Sequence, residues 1–523
     1  MGNESLHTAM LHPKTYPEKT GPIEFRETHI SRIYFTDRHV YKVKKPVDLG
    51  FLNFTTLDRR RFYCHEEVRL NRRFCPGTYL GVVDIRRSGQ EIRIDGKGTI
   101  LDYAVYMERL PEDRMLNRLL EQNRTELSGE MNRLALRLAQ LHRESPIRRR
   151  NGGTSNLEVV RLNWRENFDQ TAGAVGKTLS KECFDLCMSY VERFLDTRSN
   201  LFLQREEKGF VRDGHGDLHV DHICLTDPIR IYDCIEFNRR FRVADIAADL
   251  AFLLMDLDLR GRQDLSTTLL STYLARLEDR QGFLILLPFY KLYRAYVRGK
   301  VESFLALDRT VEKDHRRQGR QRARRYFNLA LAYLCPPMLI ATCGLMGTGK
   351  TTLAGELAEL LRGSLLRSDV LRKNLAGIEP SERRGDSFGQ GIYSPDFTKK
   401  TYAALMEEAL AVLKGGKTAV VDASFADRRQ RETFREAARR AGVPFLLLWV
   451  QCDEATVLER LDRRQALGRD ASDGRRELYR RQAEGFEPLS DCQDAIEIDT
   501  GNELDYTVHF ALVSALQKVG MRP

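Results

Sequence analysis

The stretch Gly344-Leu-Met-Gly-Thr-Gly-Lys-Thr351 decides the fold of the C-terminal third of this chain of 523 residues. The apolar run at 338–343 precedes it and predicts a buried strand, and the run that begins at Thr352 predicts a helix. Glycine at both ends of the loop lets the backbone turn sharply between the two elements. A regular alternation of strand and helix patterns follows. The sequence therefore predicts an α/β domain with a parallel sheet from residue 338 to 523.

The spacing G-x-x-x-x-G-K-T is typical of a loop that binds nucleotide phosphates between a strand and a helix. Backbone N–H groups of such a loop face the phosphates, Lys350 reaches the β and γ phosphates, and the Thr351 hydroxyl coordinates Mg²⁺. Asp422 ends a predicted strand at the same sheet edge and is a second candidate Mg²⁺ ligand, through water. We predict ATP and Mg²⁺ as cofactors, with the nucleotide bound by Gly344, Gly347, Thr348, Gly349, Lys350, Thr351 and Thr352.

An acidic and a basic residue share the first helical turn of Asp369-Val-Leu-Arg372, at the end of another predicted strand. This arrangement resembles the kinase domain of polynucleotide 5'-hydroxyl kinases and related small P-loop kinases of the zeta-toxin type. The resemblance implies that Asp369 deprotonates or orients an acceptor hydroxyl and that Arg372 binds an acceptor phosphate. A helix N-cap is the alternative role for Asp369.

Two arginines of Leu458-Glu-Arg460-Leu-Asp-Arg-Arg464 follow the predicted strand 445–450. The segment resembles the arginine-bearing lid of the same superfamily. The resemblance implies that Arg460 and Arg464 neutralise charge on the transferring phosphoryl group. A solvated helix face is the alternative.

The densest polar cluster is His215-Gly-Asp217-Leu-His219-Val-Asp-His222, with Asp233 shortly after it. A kinase that phosphorylates a hydroxyl needs one aspartate near the substrate proton and another that holds Mg²⁺. Asp217 is the candidate for the first role and Asp233 for the second.

This cluster resembles the catalytic segment of the aminoglycoside phosphotransferase and choline kinase family, which has the bilobal protein-kinase-like fold. The resemblance implies a lysine on the strand 40–44, with Lys42 as first choice and Lys44 as the same-face alternative. It also implies a glutamate on the following helix, Glu66 or Glu67, that pairs with the lysine. Met107 would lie in the hinge and contact the nucleotide.

His222 departs from the family pattern, which usually has asparagine at this position as a second Mg²⁺ ligand. Histidine prefers softer transition metals to Mg²⁺. Three interpretations stay open: a module that binds a metabolite or nucleotide without turnover, a zinc site built from His215, His219 and His222 with an aspartate, and polar groups that only brace a loop.

The predicted fold class is an α+β protein-kinase-like bilobal domain followed by an α/β P-loop NTPase domain with a parallel sheet. The predicted boundaries are an N-terminal extension at 1–24, an aminoglycoside phosphotransferase-like domain at 25–325, a linker at 326–337 and the P-loop domain at 338–523. Adjacent prolines at 336–337 mark the last boundary.

Charge and composition restrict the partners. The formal net charge of +10 favours anionic ligands. No apolar run approaches the ~18 residues that span a bilayer, so we expect a cytoplasmic protein with no membrane partner. Ten cysteines without a C-x-x-C pair favour reduced thiols. The sequence does not indicate the oligomeric state.

The function predicted from these patterns is an ATP-dependent phosphotransferase, a bifunctional kinase with an alcohol group as acceptor. The acceptor is a small molecule or a nucleic acid with a 5'-hydroxyl end. Two alternatives stay open: a nucleotide-switched regulatory protein with an inactive phosphotransferase-like module, and a polynucleotide 5'-hydroxyl kinase.

Overall fold

The computed structural model describes residues 3–50, 52–122, 126–148, 153–379, 391–467, 476–489, 492 and 495–521. The chain divides into two compact units. The first comprises Met1–Leu162, Arg198–Leu257 and Arg262–Tyr290, and the second comprises Asn163–Thr197, Asp258–Gly261 and Lys291–Pro523. Three stretches that the sequence assigned to the N-terminal domain, 163–197, 258–261 and 291–325, therefore lie in the second unit.

Unit 1 contains a six-stranded antiparallel sheet with the strand order β1-β2-β3-β6-β4-β5. The strands β2 and β3 form an antiparallel hairpin within it. Its elements are α1 (Asn3–Met10), β1 (Glu24–Glu27), β2 (Ser31–Phe35), β3 (His39–Lys44), α2 (Leu57–Asn71), β4 (Tyr79–Ser88), β5 (Glu91–Ile94) and β6 (Thr99–Glu108).

The predicted N-terminal extension, residues 1–24, contributes to the core of this sheet. Met10 and Tyr16 are buried against Tyr34 and Tyr41 of the sheet. The hydroxyl of Tyr16 donates a hydrogen bond of 2.6 Å to the carbonyl oxygen of Met10. The segment is therefore an integral part of the lobe.

Mainly helical elements follow the sheet, as the periodicity predicts. Two short antiparallel pairs, β7 with β10 and β8 with β9, frame the loop that carries Asp217. The elements are α3 (Leu116–Glu121), α4 (Ser128–Glu144), α5 (Asn156–Thr171), α6 (Lys181–Thr197), α7 (Ser199–Glu207), β7 (Val211–Asp213), β8 (Ile223–Cys224), β9 (Arg230–Ile231), α8 (Arg239–Arg242), β10 (Val243–Asp245), α9 (Ile246–Leu259), α10 (Gln263–Leu274), α11 (Arg280–Leu307) and α12 (Lys313–Leu334).

Unit 2 contains the predicted parallel sheet, with five strands in the order β12-β13-β11-β14-β15. Its central strand β11 precedes the glycine-rich loop, and its apolar residues are fully buried, as expected for a strand covered on both faces. The elements are β11 (Leu339–Cys343), α13 (Lys350–Leu360), β12 (Ser364–Arg367), α14 (Ser368–Leu375), α15 (Pro395–Lys414), β13 (Ala419–Asp422), α16 (Arg428–Arg440), β14 (Phe445–Gln451), α17 (Glu454–Leu467), α18 (Arg476–Glu484), β15 (Ala495–Asp499) and α19 (Leu504–Lys518).

The predicted linker at 326–337 is mostly helix. The helix α12 continues to Leu334, and every residue from Tyr326 to Leu334 is buried. Asn328 Nδ2 donates a hydrogen bond of 2.8 Å to the carbonyl oxygen of Asp505 in α19. The arginine-rich first half of α12 obscures the amphipathic pattern of its second half, whereas the prolines at 336–337 do end the helix as predicted.

Two further expectations concern membranes and thiols. Across the described part of the chain, the helices are either too short or too polar to cross a bilayer. All ten cysteines are free thiols, and seven of them are buried. Burial raises the pKa of Cys64 and of Cys343 to about 12, so these thiols are poor nucleophiles.

Candidate nucleotide sites in the two units

The glycine-rich loop of unit 2 requires glycine for reasons of backbone geometry. Gly344, Gly347 and Gly349 have φ angles of +140°, +78° and +91°, which side chains disfavour. A Cβ atom on Gly347 would lie 2.8 Å from Cγ1 of Val457, and one on Gly344 would lie 2.4 Å from the carbonyl oxygen of Val450. The helix α13 begins directly after the loop at Lys350. Its N-terminus gives the loop the electrostatic character of an anion site.

Thr351 and Asp422 meet at the carboxyl end of the sheet. The Thr351 hydroxyl donates a hydrogen bond of 2.7 Å to Oδ2 of Asp422, and Thr342 Oγ1 lies 3.4 Å from Oδ1. Asp422 is the last residue of β13, which pairs with β11. A hydroxyl and a carboxylate are the hard oxygen donors that suit Mg²⁺. The two residues predicted as metal ligands are therefore adjacent and chemically fit the ion.

Lys350 contacts the loop itself. Its Nζ donates a hydrogen bond of 2.6 Å to the carbonyl oxygen of Leu345. Burial lowers the pKa of Lys350, and the carboxylates of Asp422 and Asp369 oppose that shift. Thr348 Oγ1 also donates to the Leu345 carbonyl, at 2.8 Å. The ammonium group is thus held at the loop, where its positive charge would attract a bound phosphate.

A cavity of about 930 Å³ lies above this loop and is large enough for a nucleotide. It contains nearly all the groups that the sequence assigned to the C-terminal site. Its lining includes Gly347, Gly349, Lys350, Thr351, Thr352, Asp369, Arg372, Asp422, Arg460 and Arg464. Gly344 and Thr348 do not line the cavity. The N–H of Gly344 donates a hydrogen bond to the carbonyl oxygen of Ser424.

Asp369 and Arg372 occupy the first turns of α14 and both face this cavity. Arg372 is buried, and its Nη1 donates hydrogen bonds to the carbonyl oxygen of Ile392 at 2.6 Å and to Thr398 Oγ1 at 3.1 Å. Its guanidinium lies 5.0 Å from the ring centroid of Tyr393. The Nε atom of Arg372 has no hydrogen-bond partner among the described residues. No side-chain cap is present at the start of α14, so the N-cap alternative for Asp369 is wrong.

Two residues that the sequence did not single out organise the opposite wall. Thr500 Oγ1 donates 2.6 Å to the carbonyl of Thr348, while Arg460 donates to both Oγ1 and the carbonyl oxygen of Thr500, at 3.0 and 2.8 Å. Gln482 Oε1 accepts a hydrogen bond of 2.7 Å from the N–H of Met346. Only their positions after a strand and on an arginine-rich helix could have indicated them.

Unit 1 contains a buried network of two lysines and three carboxylates. Lys42 Nζ donates to Glu67 at 2.9 Å and to Asp233 at 2.5 Å. Lys44 Nζ donates to the other oxygen of Glu67 at 2.7 Å and also to Glu236. Although burial opposes the shift, the carboxylates raise the pKa of both lysines above the usual range.

Burial shows which of Glu66 and Glu67 pairs with the lysines of β3. Glu67 is fully buried and binds both lysines, whereas Glu66 is partly exposed and pairs with Arg69 on its own helix at 2.7 Å. Glu66 is therefore wrong as the lysine partner. Lys42 and Lys44 both take part, because side chains two apart on a strand share one face.

Met107 lies near the end of β6, next to the predicted hinge. Its backbone is opposite Val40 of β3 and Tyr79 of β4, and its side chain is partly buried beside Val105. The position is that of the last sheet residues before the helical part of the unit. Its predicted contact with a nucleotide stays a prediction.

Asp249 holds the loop that carries Asp217. Its carboxylate accepts hydrogen bonds from the N–H of His215 at 2.6 Å and of Gly216 at 2.7 Å. Gly216 has φ of +83°, and a Cβ there would lie 3.0 Å from Arg242. The loop is therefore fixed from the side of α9, and it presents Asp217 beside His219 and His222.

His222 lies between the two aspartates predicted for the catalytic and metal roles. Its Nδ1 is 3.6 Å from Oδ2 of Asp217 and its Nε2 is 3.6 Å from Oδ2 of Asp233. Burial and the neighbouring His219 lower the pKa of His222. Although burial opposes the shift, the histidines hold the pKa of Asp217 well below its usual range, and Lys42 and His222 do the same for Asp233. Asp233 also has a φ angle of +64°, a strained backbone often found at functional sites.

Comparison with known families supports the assignment of the C-terminal unit. Residues 339–489 match the family model AAA_33, described as an AAA domain. The matched range begins at β11 and includes the glycine-rich loop, Asp369, Asp422 and both lid arginines. The prediction of a P-loop domain in this part of the chain is confirmed.

Relatives over most of the chain are uncharacterized proteins of mycobacteria. One from Mycobacterium tuberculosis and one from Mycobacterium bovis are each 29% identical over 419 residues, which cover 80% of this chain and 81% of the relative. The alignment is long enough to include parts of both predicted domains.

Two solved structures are each similar to a part of the chain. An aminoglycoside 2'-phosphotransferase-IIIa in its GDP complex covers 62% of this chain and 99% of its own, with 13% identity and a TM-score of 0.37. A gluconokinase from Sinorhizobium meliloti covers 35% of this chain and 93% of its own, with 22% identity and a TM-score of 0.26.

The predicted fold class is confirmed: an antiparallel sheet followed by mainly helical elements precedes a P-loop domain with a parallel sheet. A P-loop between a strand and a helix favours the binding of nucleotide phosphates in general.

Proposed function

We propose that the P-loop site of this protein transfers the γ-phosphoryl group of ATP to a hydroxyl acceptor. The observation that carries the proposal is the composition of one cavity of about 930 Å³. The phosphate-binding loop, the carboxylate of Asp369 and the guanidinium of Arg372 all line this cavity. A simple ATPase would not need an acidic residue and a buried arginine opposite the loop.

Each group has a definite task in such a transfer. Lys350 and the loop N–H groups bind the phosphates, and Thr351 with Asp422 would hold Mg²⁺, which neutralises phosphate charge when bound. Asp369 takes the proton of the acceptor hydroxyl while the oxygen of that hydroxyl forms a bond to the γ phosphorus. The bond from that phosphorus to the bridging oxygen breaks, and ADP leaves. Arg460 and Arg464 offset charge on the transferring group.

Substitution of Asp369 tests the base assignment. We expect Asp369→Asn to lower transfer from labelled ATP by about 100-fold or more, because general-base catalysis typically contributes 10²–10⁴-fold. Nucleotide binding should change little. Asp314→Asn, on the exposed face of α12, is the matched control. Transfer by Asp369→Asn at the control rate would overturn the assignment.

The acceptor of this site is proposed to be either a small molecule or a nucleic acid with a 5'-hydroxyl end. The net charge of +10 supports an anionic acceptor in both cases. If the acceptor is nucleic acid, binding of a 5'-hydroxyl oligonucleotide should weaken steeply as salt rises, because phosphate contacts release counterions. Absent or salt-independent binding, with transfer to a metabolite in a screen, would identify a small-molecule acceptor.

A second candidate function concerns unit 1. The position of His222 between Asp217 and Asp233 supports a module that binds a nucleotide or metabolite without turnover. In this interpretation the P-loop domain supplies the only phosphotransfer.

The full chain with Lys350→Ala isolates the contribution of unit 1. We expect no phosphotransfer from this variant and a gain of transfer when His222→Asn is added. Transfer already present with His222 in place would reject the binding role for this unit.

A further inference from the structure

Three side chains of unit 1 converge on one point beside the predicted catalytic loop. Oδ2 of Asp217 lies 3.5 Å from Nε2 of His219 and 3.6 Å from Nδ1 of His222. One potential ligand atom from each residue lies within 4.8 Å of the other two. The imidazole rings are nearly in contact, with centroids 4.0 Å apart.

Ligand atoms at about 2.0–2.2 Å from one ion, at tetrahedral or octahedral angles, lie about 3.0–3.6 Å apart. The separation between Oδ2 of Asp217 and Nε2 of His219 falls in that range. Nδ1 of His222 is hydrogen-bonded to the carbonyl oxygen of Asp217 at 2.9 Å, so Nε2 is the nitrogen of His222 that can bind an ion.

The other nitrogen of each imidazole has a protein oxygen beside it. Nδ1 of His219 is 3.3 Å from the carboxylate of Asp221, and Nδ1 of His222 is 2.9 Å from the carbonyl oxygen of Asp217. Metal-binding histidines typically have such a partner on the other nitrogen, which fixes the ring and its tautomer. The arrangement therefore supplies both the ligands and their supports.

The donor set selects the class of ion. Two imidazole nitrogens with one carboxylate suit Zn²⁺, Co²⁺, Mn²⁺ or Fe²⁺, whereas Mg²⁺ prefers oxygen donors throughout. We propose that Asp217, His219 and His222 together bind one divalent transition-metal ion in preference to Mg²⁺. The site is distinct from the P-loop site, and its existence does not depend on phosphotransfer there.

Cobalt(II) is the probe that reports nitrogen ligation directly. We expect the full chain, without nucleotide, to bind one Co²⁺ ion with visible ligand-field bands. Zn²⁺ should abolish these bands, and Mg²⁺ in large excess should leave them unchanged. Failure to bind Co²⁺, or displacement by Mg²⁺ as readily as by Zn²⁺, would overturn the proposal.

Variants assign the bands to this cluster. His219→Gln and His222→Gln should each weaken Co²⁺ binding by about 100-fold or more, since even loss of a supporting residue typically costs 10–100-fold. His315→Gln, at an exposed position of α12, and Asp422→Asn, in the other site, should retain the bands.

A conservative variant distinguishes loss of a ligand from misfolding. His222→Asn keeps a polar side chain of the family's usual type, so the thermal unfolding midpoint should stay near that of the wild type. The metal preference of this variant should shift from Co²⁺ towards Mn²⁺ and Mg²⁺. Wild-type Co²⁺ bands in His222→Asn would contradict ligation by this residue.

Discussion

The hydroxyl of Thr351 donates a hydrogen bond of 2.7 Å to the carboxylate of Asp422, which lies 71 positions later in the chain. Parallel pairing of β11 with β13 causes this approach, because it aligns the carboxyl ends of the two strands. The contact places both oxygen donors beside Lys350, so the metal and phosphate sites are formed by one edge of one sheet.

Removal of the Thr351 hydroxyl should separate metal binding from phosphate binding. We expect Thr351→Val to lower Mg²⁺-dependent phosphotransfer by about 100-fold, the loss typical of one missing electrostatic contact at the reacting groups. ATP binding measured by calorimetry without Mg²⁺ should change much less. Thr433→Val, an exposed position on α16, is the control. Equal losses with and without Mg²⁺ would contradict the metal role.

Two Gly→Ala substitutions should have opposite effects on the P-loop domain. At Gly347 the new Cβ would clash with Val457, and φ is positive, so we expect a cost of about 1–3 kcal/mol in the loop conformation and at least tenfold weaker ATP binding. Gly355, inside α13, has open space around a new Cβ. Gly355→Ala should stabilise the helix by about 0.5–1 kcal/mol. Thermal unfolding and ATP titration distinguish the two.

The two adjacent glutamates of α2 should differ in their contribution to stability. Glu67→Gln leaves buried lysine charge without its partner, and we expect a loss of about 3 kcal/mol in the free energy of unfolding. Glu66→Gln removes only a partly exposed pair with Arg69, so its effect should be within about 1 kcal/mol. Denaturant unfolding followed by circular dichroism measures both. Equal losses would contradict the assignment of Glu67 as the partner of Lys42 and Lys44.

The partly buried His509 should make unit 2 less stable in mild acid. Burial lowers the pKa of His509 below 6.5, with Arg324 acting in the same direction and Glu182 opposing it. The neutral ring, whose Nδ1 is 3.0 Å from Oδ1 of Asn328, is therefore the form that the folded state favours.

Because the folded pKa is depressed, this stability is present above pH 6.5 and is lost as pH falls through the folded pKa. Thermal unfolding midpoints measured from pH 8 downward should show a smaller acid loss in His509→Gln than in the wild type. Parallel curves for the two proteins would contradict the prediction.

The sequence was sufficient to predict features whose geometry is set within one short segment. The loop Gly344 to Thr351 is such a segment, because its glycines, lysine and threonine act within one strand-loop-helix turn. The alternation on β3 is another, since it places Lys42 and Lys44 on one face whatever the rest of the chain does.

The roles of residues whose partners are distant in the chain could not be predicted from the sequence. The choice of Glu67 over Glu66 depends on which face of α2 packs on the sheet, and the role of Thr500 depends on β15 joining the sheet beside β14. Local pattern also misjudged α12, whose buried second half follows a strongly basic first half.

The sequence by itself determined the phosphate loop and the shared face of the two strand lysines, because these follow from periodicity and from backbone rules within a few residues. Only the tertiary structure decided that His222 lies between Asp217 and Asp233, and that Asp369, Arg372 and the lid arginines share one cavity. The cavity brings together segments that lie tens of residues apart or more, and the distances from His222 depend on how its own loop folds, so neither follows from a local sequence pattern.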